Sequence, residues 1–355
     1  MRFLITVSSL TPGSGLSRYV FSLSRLLIEA NNEVFVLTTH DDSTISYERN
    51  ELDSISHEIQ LISLGNQNKL RKYIDVVRAI CRINPDVIIN NYNAVVQYIL
   101  PFISKKIKVI HVLHNDTNDF YRVASITGKK TDGWIAPTKS IANHFNEYTS
   151  NRYTDKVTII PHGVEEVDFN EKNNEKLEIV YAGVLYEHKG VKILPSIIKM
   201  LHEKGVNLHF TIIGGGVLDN WLREQFAKEV ESGVVTFTGV IDHDKVYEEM
   251  SKADIFLYPT HLDAFGLVIA EAMMNGLVPV VTHLPGITDN LISDGKDGYL
   301  IKQDEIAQFV KVIENLYQNK LILRQLGNAA HQKALTQFSL SAMSNTYISY
   351  FSLFK

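Results

Sequence analysis

Two acidic residues, Asp263 and Glu271, stand eight positions apart in the stretch ADIFLYPTHLDAFGLVIAEAMMNGLVPVVTH, which runs from Ala253 to His283. Glu271 is flanked by Ile269, Ala270, Ala272 and Met273. An unpaired carboxylate among such neighbours costs several kcal/mol, so Glu271 needs a hydrogen-bonding partner unless it lies on an exposed stripe. Asp263 has two readings, a cap on the following helix or a ligand contact. Between the two acids, the backbone N–H groups of Phe265, Gly266, Leu267 and Val268 open a helix and offer an anion site. Two carboxylates accepting from hydroxyls on either side of a bound anion would suit hydroxyl, phosphate and hydroxyl in a row. That order describes a nucleotide sugar.

The elements that must position these groups form one βαβ unit. Ile255–Tyr258 is a short apolar run, Gly266–Asn275 has helical spacing, and Val278–Val281 is a second apolar run. In open parallel sheets, ligands bind beyond the carboxyl ends of the strands, which is where this loop and helix start would lie. Asp263-Ala-Phe-Gly-Leu-Val-Ile-Ala-Glu271 resembles the Glu-x7-Glu signature of the retaining glycosyltransferases of family 4, with Asp in the first position. The resemblance implies that Asp263 contacts the donor sugar and Glu271 the ribose. Asp is one methylene shorter than Glu, which weakens the sugar contact.

Further matches extend the resemblance over nearly the whole chain. Gly183-Val-Leu-Tyr-Glu-His-Lys189-Gly190 is similar to the family's G-R-L-x-x-x-K-G loop, whose Arg and Lys neutralise the donor diphosphate. Lys189 is in place, but Val184 stands where the Arg is expected, leaving His188 or Lys192 as substitutes. Gly214 begins a Gly turn after a strand, where backbone either approaches a phosphate or simply turns. Gly239 to Ile241 matches the segment near the nucleotide base. His114 ends the strand VIHVL, where the family's histidine projects towards the donor sugar; His111 reads as structural. Gly13 and Gly15 follow the first strand, and Arg18 stands where a dinucleotide-binding G-x-G-x-x-G would end, so the loop resembles instead the glycosyltransferases' Gly loop under the diphosphate.

A chain of 355 residues with 45% hydrophobic and 21% charged residues is expected to form two soluble domains. The single cysteine, Cys81, excludes an internal disulfide and fits a reducing compartment. Met1 to Leu10 reads as a strand rather than a leader, and no apolar run approaches the ~20 residues that span a bilayer. The expected location is cytoplasmic, with association at the inner face of the cell membrane as an option. The net charge of −5 argues against nucleic acid as a partner. Charge is uneven, +2 up to Glu165 and −7 beyond it. Basic clusters at Lys69, Arg71 and Lys72, at Lys105, Lys106 and Lys108, and at Lys129 and Lys130 read first as solvated surface and second as attraction to anionic lipid.

These readings converge on the α/β class and, through the resemblance, on the GT-B fold: two Rossmann-like domains facing a central cleft, with a C-terminal helix crossing back to the first. The expected domains are 1–165, completed by about 339–355, and 166–338. The polar stretch from Glu165 to Lys176 serves as linker. The resemblance implies a retaining, nucleotide-sugar-dependent transferase using a UDP-, GDP- or ADP-sugar without metal or cofactor. Its acceptor would be a growing surface polysaccharide or a lipid-linked saccharide. Catalysis would fall to Asp263, His114 and Lys189. Donor binding would fall to Lys189 and Asp263 with Gly13, Gly15, Gly214, Phe265, Gly266, Leu267, Val268 and Glu271. An epimerase acting on the nucleotide sugar, and a non-catalytic partner subunit suggested by Val184, remain as alternatives.

Overall fold

A computed structural model describes residues 1–10, 15–39, 59–63, 69–169 and 175–354. The chain divides into two compact units: Met1–Gly163 with Leu340–Lys355, and Val164–Ser339.

Unit 1 is built on a seven-stranded parallel sheet. Its strands are β1 (Arg2–Val7), β2 (Glu33–Thr38), β3 (Ile59–Ser63), β4 (Val87–Asn91), β5 (Lys108–Val112), β6 (Gly133–Ala136) and β7 (Val157–Ile159), in the order β3-β2-β1-β4-β5-β6-β7. The central strands are apolar on both faces because helices cover both sides, as parallel sheets require. The first helix, Gly15–Glu29, begins three residues before the expected Arg18, so Gly15 opens a helix instead of lying in a loop. Gly13 lies outside the described residues. The Leu340–Ser352 helix belongs to unit 1. Its Met343, Tyr347, Tyr350 and Phe351 enter the core around Phe3, Ile5 and Tyr19, and the rings of Phe3 and Phe351 meet at 4.9 Å.

Unit 2 carries a six-stranded parallel sheet of β8 (Leu177–Ala182), β9 (Leu208–Ile213), β10 (Val235–Gly239), β11 (Ile255–Tyr258), β12 (Val278–Thr282) and β13 (Tyr299–Ile301). Their order is β10-β9-β8-β11-β12-β13. From β8 the chain first builds outward through β9 and β10, then returns to β11 and builds the other way. The loops leaving β8 and β11 therefore diverge at a topological switch point, the place where doubly wound sheets hold ligands. Of the expected linker, residues 170–174 lie outside the described set. Val164 bridges Ser339, and Phe169 packs against His331 at a ring separation of 5.0 Å.

Candidate functional site

At the switch point of unit 2, the loop after β8 supplies Lys189 and the loop after β11 supplies Asp263. The Lys189 Nζ donates to Asp263 Oδ2 at 2.9 Å and to the Leu262 carbonyl at 3.1 Å. Only 16% of the Lys189 side chain and 15% of that of Asp263 are exposed, so this ion pair is largely buried rather than a surface contact. Tyr258, the last residue of β11, donates its hydroxyl to the same Oδ2 at 2.8 Å, and the Lys189 ammonium lies 5.5 Å from the centre of its ring. The other oxygen, Oδ1, accepts from the Ala264 N–H at 2.8 Å and the Gly266 N–H at 3.0 Å. Asp263 thus holds the turn before the helix with one oxygen and the Lys189 ammonium with the other.

Burial on its own would raise the Asp263 carboxyl. The Lys189 charge, with hydrogen bonds from Lys189, Tyr258 and Ala264, outweighs it and holds the group below its ordinary value. Burial and then the Asp263 charge push the Tyr258 hydroxyl up, keeping it a donor. The geometry of the pair depends on Gly190, which has φ +69° directly after Lys189. A Cβ there would stand 1.7 Å from the Pro259 carbonyl oxygen. Gly190→Ala is expected to destabilise unit 2 by more than about 3 kcal/mol, whereas Gly205→Ala, with φ +76° and open space around it, should cost only the roughly 1–2 kcal/mol of the left-handed backbone. Equal urea midpoints for the two variants would contradict this.

The helix expected over 266–275 is Leu267–Met274, entered through Gly266 at φ +86°. Its residues Ile269 to Met274 are all buried. The first amides of any helix lack acceptors within it, so the N–H groups of Leu267 and Val268 begin the helix without them. The Gly266 amide, expected to face an anion, is instead directed at Asp263 Oδ1. Phe265 is buried, its ring 6.3 Å from that of Phe338. Glu271 is 3% exposed, which rules out the exposed-stripe reading, and its Oε1 is bonded to His243 Nε2 at 3.0 Å. The His243 ring, which opens the His243–Lys252 helix, also meets Tyr247 edge-on at 4.8 Å.

Around this centre the Gly turns are packed closely. Gly214 has φ +125°, its N–H donates to the Gly239 carbonyl, and a Cβ on it would lie 2.0 Å from the Gly183 oxygen. The loops after β8 and β9 touch there, which requires glycine; the amide itself is turned to the sheet rim. Val184 is 46% exposed. Lys192, one of the two substitutes considered for the missing Arg, is paired with Glu187 at 2.7 Å on the surface.

His114 lies in unit 1, two residues beyond β5. Its Nε2 bonds to Asn91 Oδ1 at 2.8 Å, its ring stacks 5.5 Å from that of His162, and Tyr19 meets both rings at 4.9 and 4.7 Å. Burial, followed by the neighbouring His162, holds His114 well below the ordinary histidine value; burial alone takes His162 to about 3. The Tyr19 hydroxyl bonds to that of Tyr347 on the Leu340–Ser352 helix. His111 is buried at about 3 and receives the Asn90 amide at 3.2 Å. Among the described residues no group of three or more His, Cys, Asp or Glu side chains could hold a metal ion.

Sequence reasoning did not assign Tyr258, His243, Asn91 or His162 to the site. Tyr258 carried a local signal, a polar aromatic closing a strand five residues before Asp263. His243 lies 28 residues from Glu271, and only strand order brings them together.

Comparison with known proteins bears on this arrangement. The Glycosyltransferase Family 4 domain matches residues 13–167 and the Glycosyl transferases group 1 domain matches residues 164–333. The capsular polysaccharide biosynthesis glycosyltransferase CapM of Staphylococcus aureus is 25% identical over 185 residues, 49% of this chain and 47% of CapM. Glycogen synthase of Mycobacterium tuberculosis is 22% identical over 222 residues, 61% of this chain and 53% of the synthase. The chain spans about half the length of the curated relatives it matches. In solved structures, Anabaena Alr3699/HepE in complex with UDP superposes with a TM-score of 0.80 at 16% identity, covering 99% of this chain and 100% of that one. The pneumococcal O-GlcNAc transferase GtfA in complex with UDP and GlcNAc superposes with a TM-score of 0.81 at 14% identity, covering 100% and 99%. The chain therefore resembles a family-4 glycosyltransferase domain over its first part and a group-1 glycosyltransferase domain over its second, and it has the GT-B fold of two parallel-sheet, Rossmann-like units.

Proposed function

We propose that this protein moves a sugar from a nucleotide diphosphate sugar to an acceptor hydroxyl with retention of configuration. The observation that carries the reading is the largely buried Lys189–Asp263 pair at the switch point of the unit 2 sheet, beside a helix start. In this reading Lys189 and the amides of Leu267 and Val268 neutralise the diphosphate, Asp263 and His114 hold the sugar, and Glu271, set by His243, holds the ribose. Catalysis is then positioning plus stabilisation of charge on the departing diphosphate and on an oxocarbenium-like sugar. The names of CapM and glycogen synthase support a role in polysaccharide assembly, and the UDP complexes of HepE and GtfA support a nucleotide-sugar donor. No metal or cofactor enters the scheme.

Incubation with a panel of UDP-, GDP- and ADP-sugars tests it. One donor should be slowly hydrolysed, and its nucleoside diphosphate at about 100 times Kd should stabilise the fold by roughly 2.7 kcal/mol. Epimerised donor would point to the sugar-nucleotide epimerase, and no stabilisation by any nucleotide to the partner subunit. If Val184 occupies the place of the missing Arg, Val184→Arg should raise donor turnover about tenfold, since a charge-assisted hydrogen bond to phosphate contributes about 1.5–3 kcal/mol. Unchanged turnover would remove position 184 from the diphosphate.

Membrane contact through unit 1 is part of the same proposal. Phe102 is 82% exposed beside Lys105 and Lys106, and Lys130 reaches across to donate to the Ser104 carbonyl at 2.8 Å. Among the described residues no helix is long and apolar enough to cross a membrane. The affinity for vesicles containing 30% anionic phospholipid, read by cosedimentation, should fall by about thirtyfold or more in Lys105→Glu/Lys106→Glu, at about 1 kcal/mol per lysine. Equal binding to neutral vesicles would contradict this contact.

A further inference from the structure

Unit 1 contains a cavity of about 360 Å³ that none of the residues discussed above lines. It lies between the Asn118–Ser125 and Lys139–Tyr148 helices and is bounded by Asp116, Asn118, Tyr121, His144, Glu147 and Tyr148, with Thr117 at the edge. The size is at the small end of the roughly 300–1,000 Å³ range of small-molecule sites, enough for one ring with substituents.

We propose that this cavity is a subsite for a neutral, hydroxyl-rich sugar ring, a unit of the acceptor saccharide; it rests on the glycosyl-transfer reading. The argument begins with Asp116, which is fixed from both sides. Its Oδ1 accepts the Tyr121 hydroxyl at 2.7 Å and its Oδ2 accepts His144 Nδ1–H at 2.7 Å. Each carboxylate oxygen has a second lone pair, so Asp116 retains acceptor capacity on both atoms in a preset orientation. Two adjacent acceptors held in one plane match a pair of neighbouring ring hydroxyls. Burial and then Asp116 itself push the Tyr121 hydroxyl up, so it stays protonated and keeps donating.

The remaining lining completes the set a sugar needs. Asn118 offers two donors and an acceptor, Thr117 a hydroxyl and Glu147 a second carboxylate. Tyr148 is 39% exposed, and its ring is steadied by Tyr121 at a centroid distance of 5.9 Å. A partly open aromatic face of this kind stacks against the C–H side of a pyranose. No Lys or Arg lines the cavity while two carboxylates do, so a phosphate, a nucleotide or an anionic headgroup is disfavoured by charge. A purely apolar ligand would strand the polar lining. The site is joined to the candidate reaction centre by sequence, since Asp116 follows His114 by two residues in the same loop.

The test uses the full chain and methyl glycosides of glucose, galactose and N-acetylglucosamine, followed by saturation-transfer NMR and titration calorimetry. At least one neutral glycoside should bind. Tyr148→Ala should weaken it about tenfold, Tyr148→Phe should stay within about twofold because the ring remains, and Asp116→Asn should weaken it about tenfold. Tyr148 is on the surface, so its two variants keep the test decisive even if Asp116→Asn fails to fold. The idea is overturned if no neutral glycoside binds, if binding is indifferent to Tyr148→Ala, or if only protonated glucosamine binds, which would make the cavity a cation site. Melting shifts with UDP, GDP and ADP are read in parallel. Glycoside binding without any nucleotide shift would sink the transfer reading and leave the subsite standing; a nucleotide shift without glycoside binding would do the reverse.

Discussion

Lys189→Ala is expected to lower donor turnover by about 10²–10³-fold and to destabilise unit 2 by about 3 kcal/mol. The two losses have separate causes. The rate falls because a cation opposite the charge that builds on a leaving diphosphate is removed, an effect of the size seen when one preorganised donor is deleted from an active site. Stability falls because Asp263 is left as a largely buried carboxylate without its counter-charge, a change that costs about 3–5 kcal/mol. The lower end applies, since the Tyr258 hydroxyl and the Ala264 and Gly266 amides still donate to it. The double variant Lys189→Ala/Asp263→Asn should therefore regain most of the stability and none of the turnover. Urea denaturation and donor hydrolysis measure the two quantities independently. Turnover within threefold of the parent in Lys189→Ala would remove the residue from the chemistry, whatever its effect on folding.

The second large effect is on unit 1 in acid. His111 and His162 are buried with folded-state values near 3, and His114, whose ring stays partly accessible, is also held well below the ordinary value of 6.5. In the unfolded chain each titrates near 6.5, so the unfolded state binds more protons below that pH. The stability these groups contribute is fully present above about pH 6.5 and is lost as the pH falls below it. At pH 5 the loss is about 2 kcal/mol for each of His111 and His162, from ~1.4 kcal/mol per pH unit. Protonation also sets two cations face to face in the His114–His162 stack and meets the Asn90 amide with a second donor at His111. Asp263, held below its ordinary 3.8, does not titrate in this window, so unit 2 loses none of that contribution. The chain's two tryptophans, Trp134 and Trp221, lie one in each unit. Fluorescence-detected unfolding of Trp221→Phe then follows unit 1 alone, and a midpoint that does not move between pH 7 and pH 5 would refute the assignment.

Much of this architecture was legible because parallel sheets write themselves plainly. Strands such as VIHVL, LHFTII and IFLY are short apolar runs, the last two closed by Gly214 and Pro259 and the first by the polar run from His114, so the alternation of strand and helix is visible without long-range information. Boundaries moved only where local signals competed. Gly15 looked like loop because it follows Pro12 and Gly13, yet the apolar face of the next turn draws it into the helix. The site was legible in part. Asp263 and Glu271 could be picked out as acids beside a helix start and an apolar run, and Lys189 through the resemblance of its glycine-flanked loop, but their partners could not. Tyr258 and Lys189 meet on one oxygen of Asp263 because β8 and β11 are neighbours in the sheet, although 74 residues separate Lys189 from Asp263. His243 reaches Glu271 through the same kind of non-local pairing. Nor did the sequence reveal that the Gly266 and Gly214 amides are taken up by Asp263 and Gly239.

The position of the Leu340–Ser352 helix in the core of unit 1 has a consequence for how the chain is made. Unit 2 is continuous in sequence, whereas unit 1 has its final core element on the far side of it. During translation the first 163 residues leave the ribosome with the groove around Phe3, Ile5 and Tyr19 unfilled, and they must wait while all of unit 2 is synthesised. A nascent chain stalled before residue 340 should thus present a finished unit 2 and a unit 1 that chaperones still recognise. Joining residues 340–354 directly to the front of the first strand would let unit 1 close before unit 2 emerges.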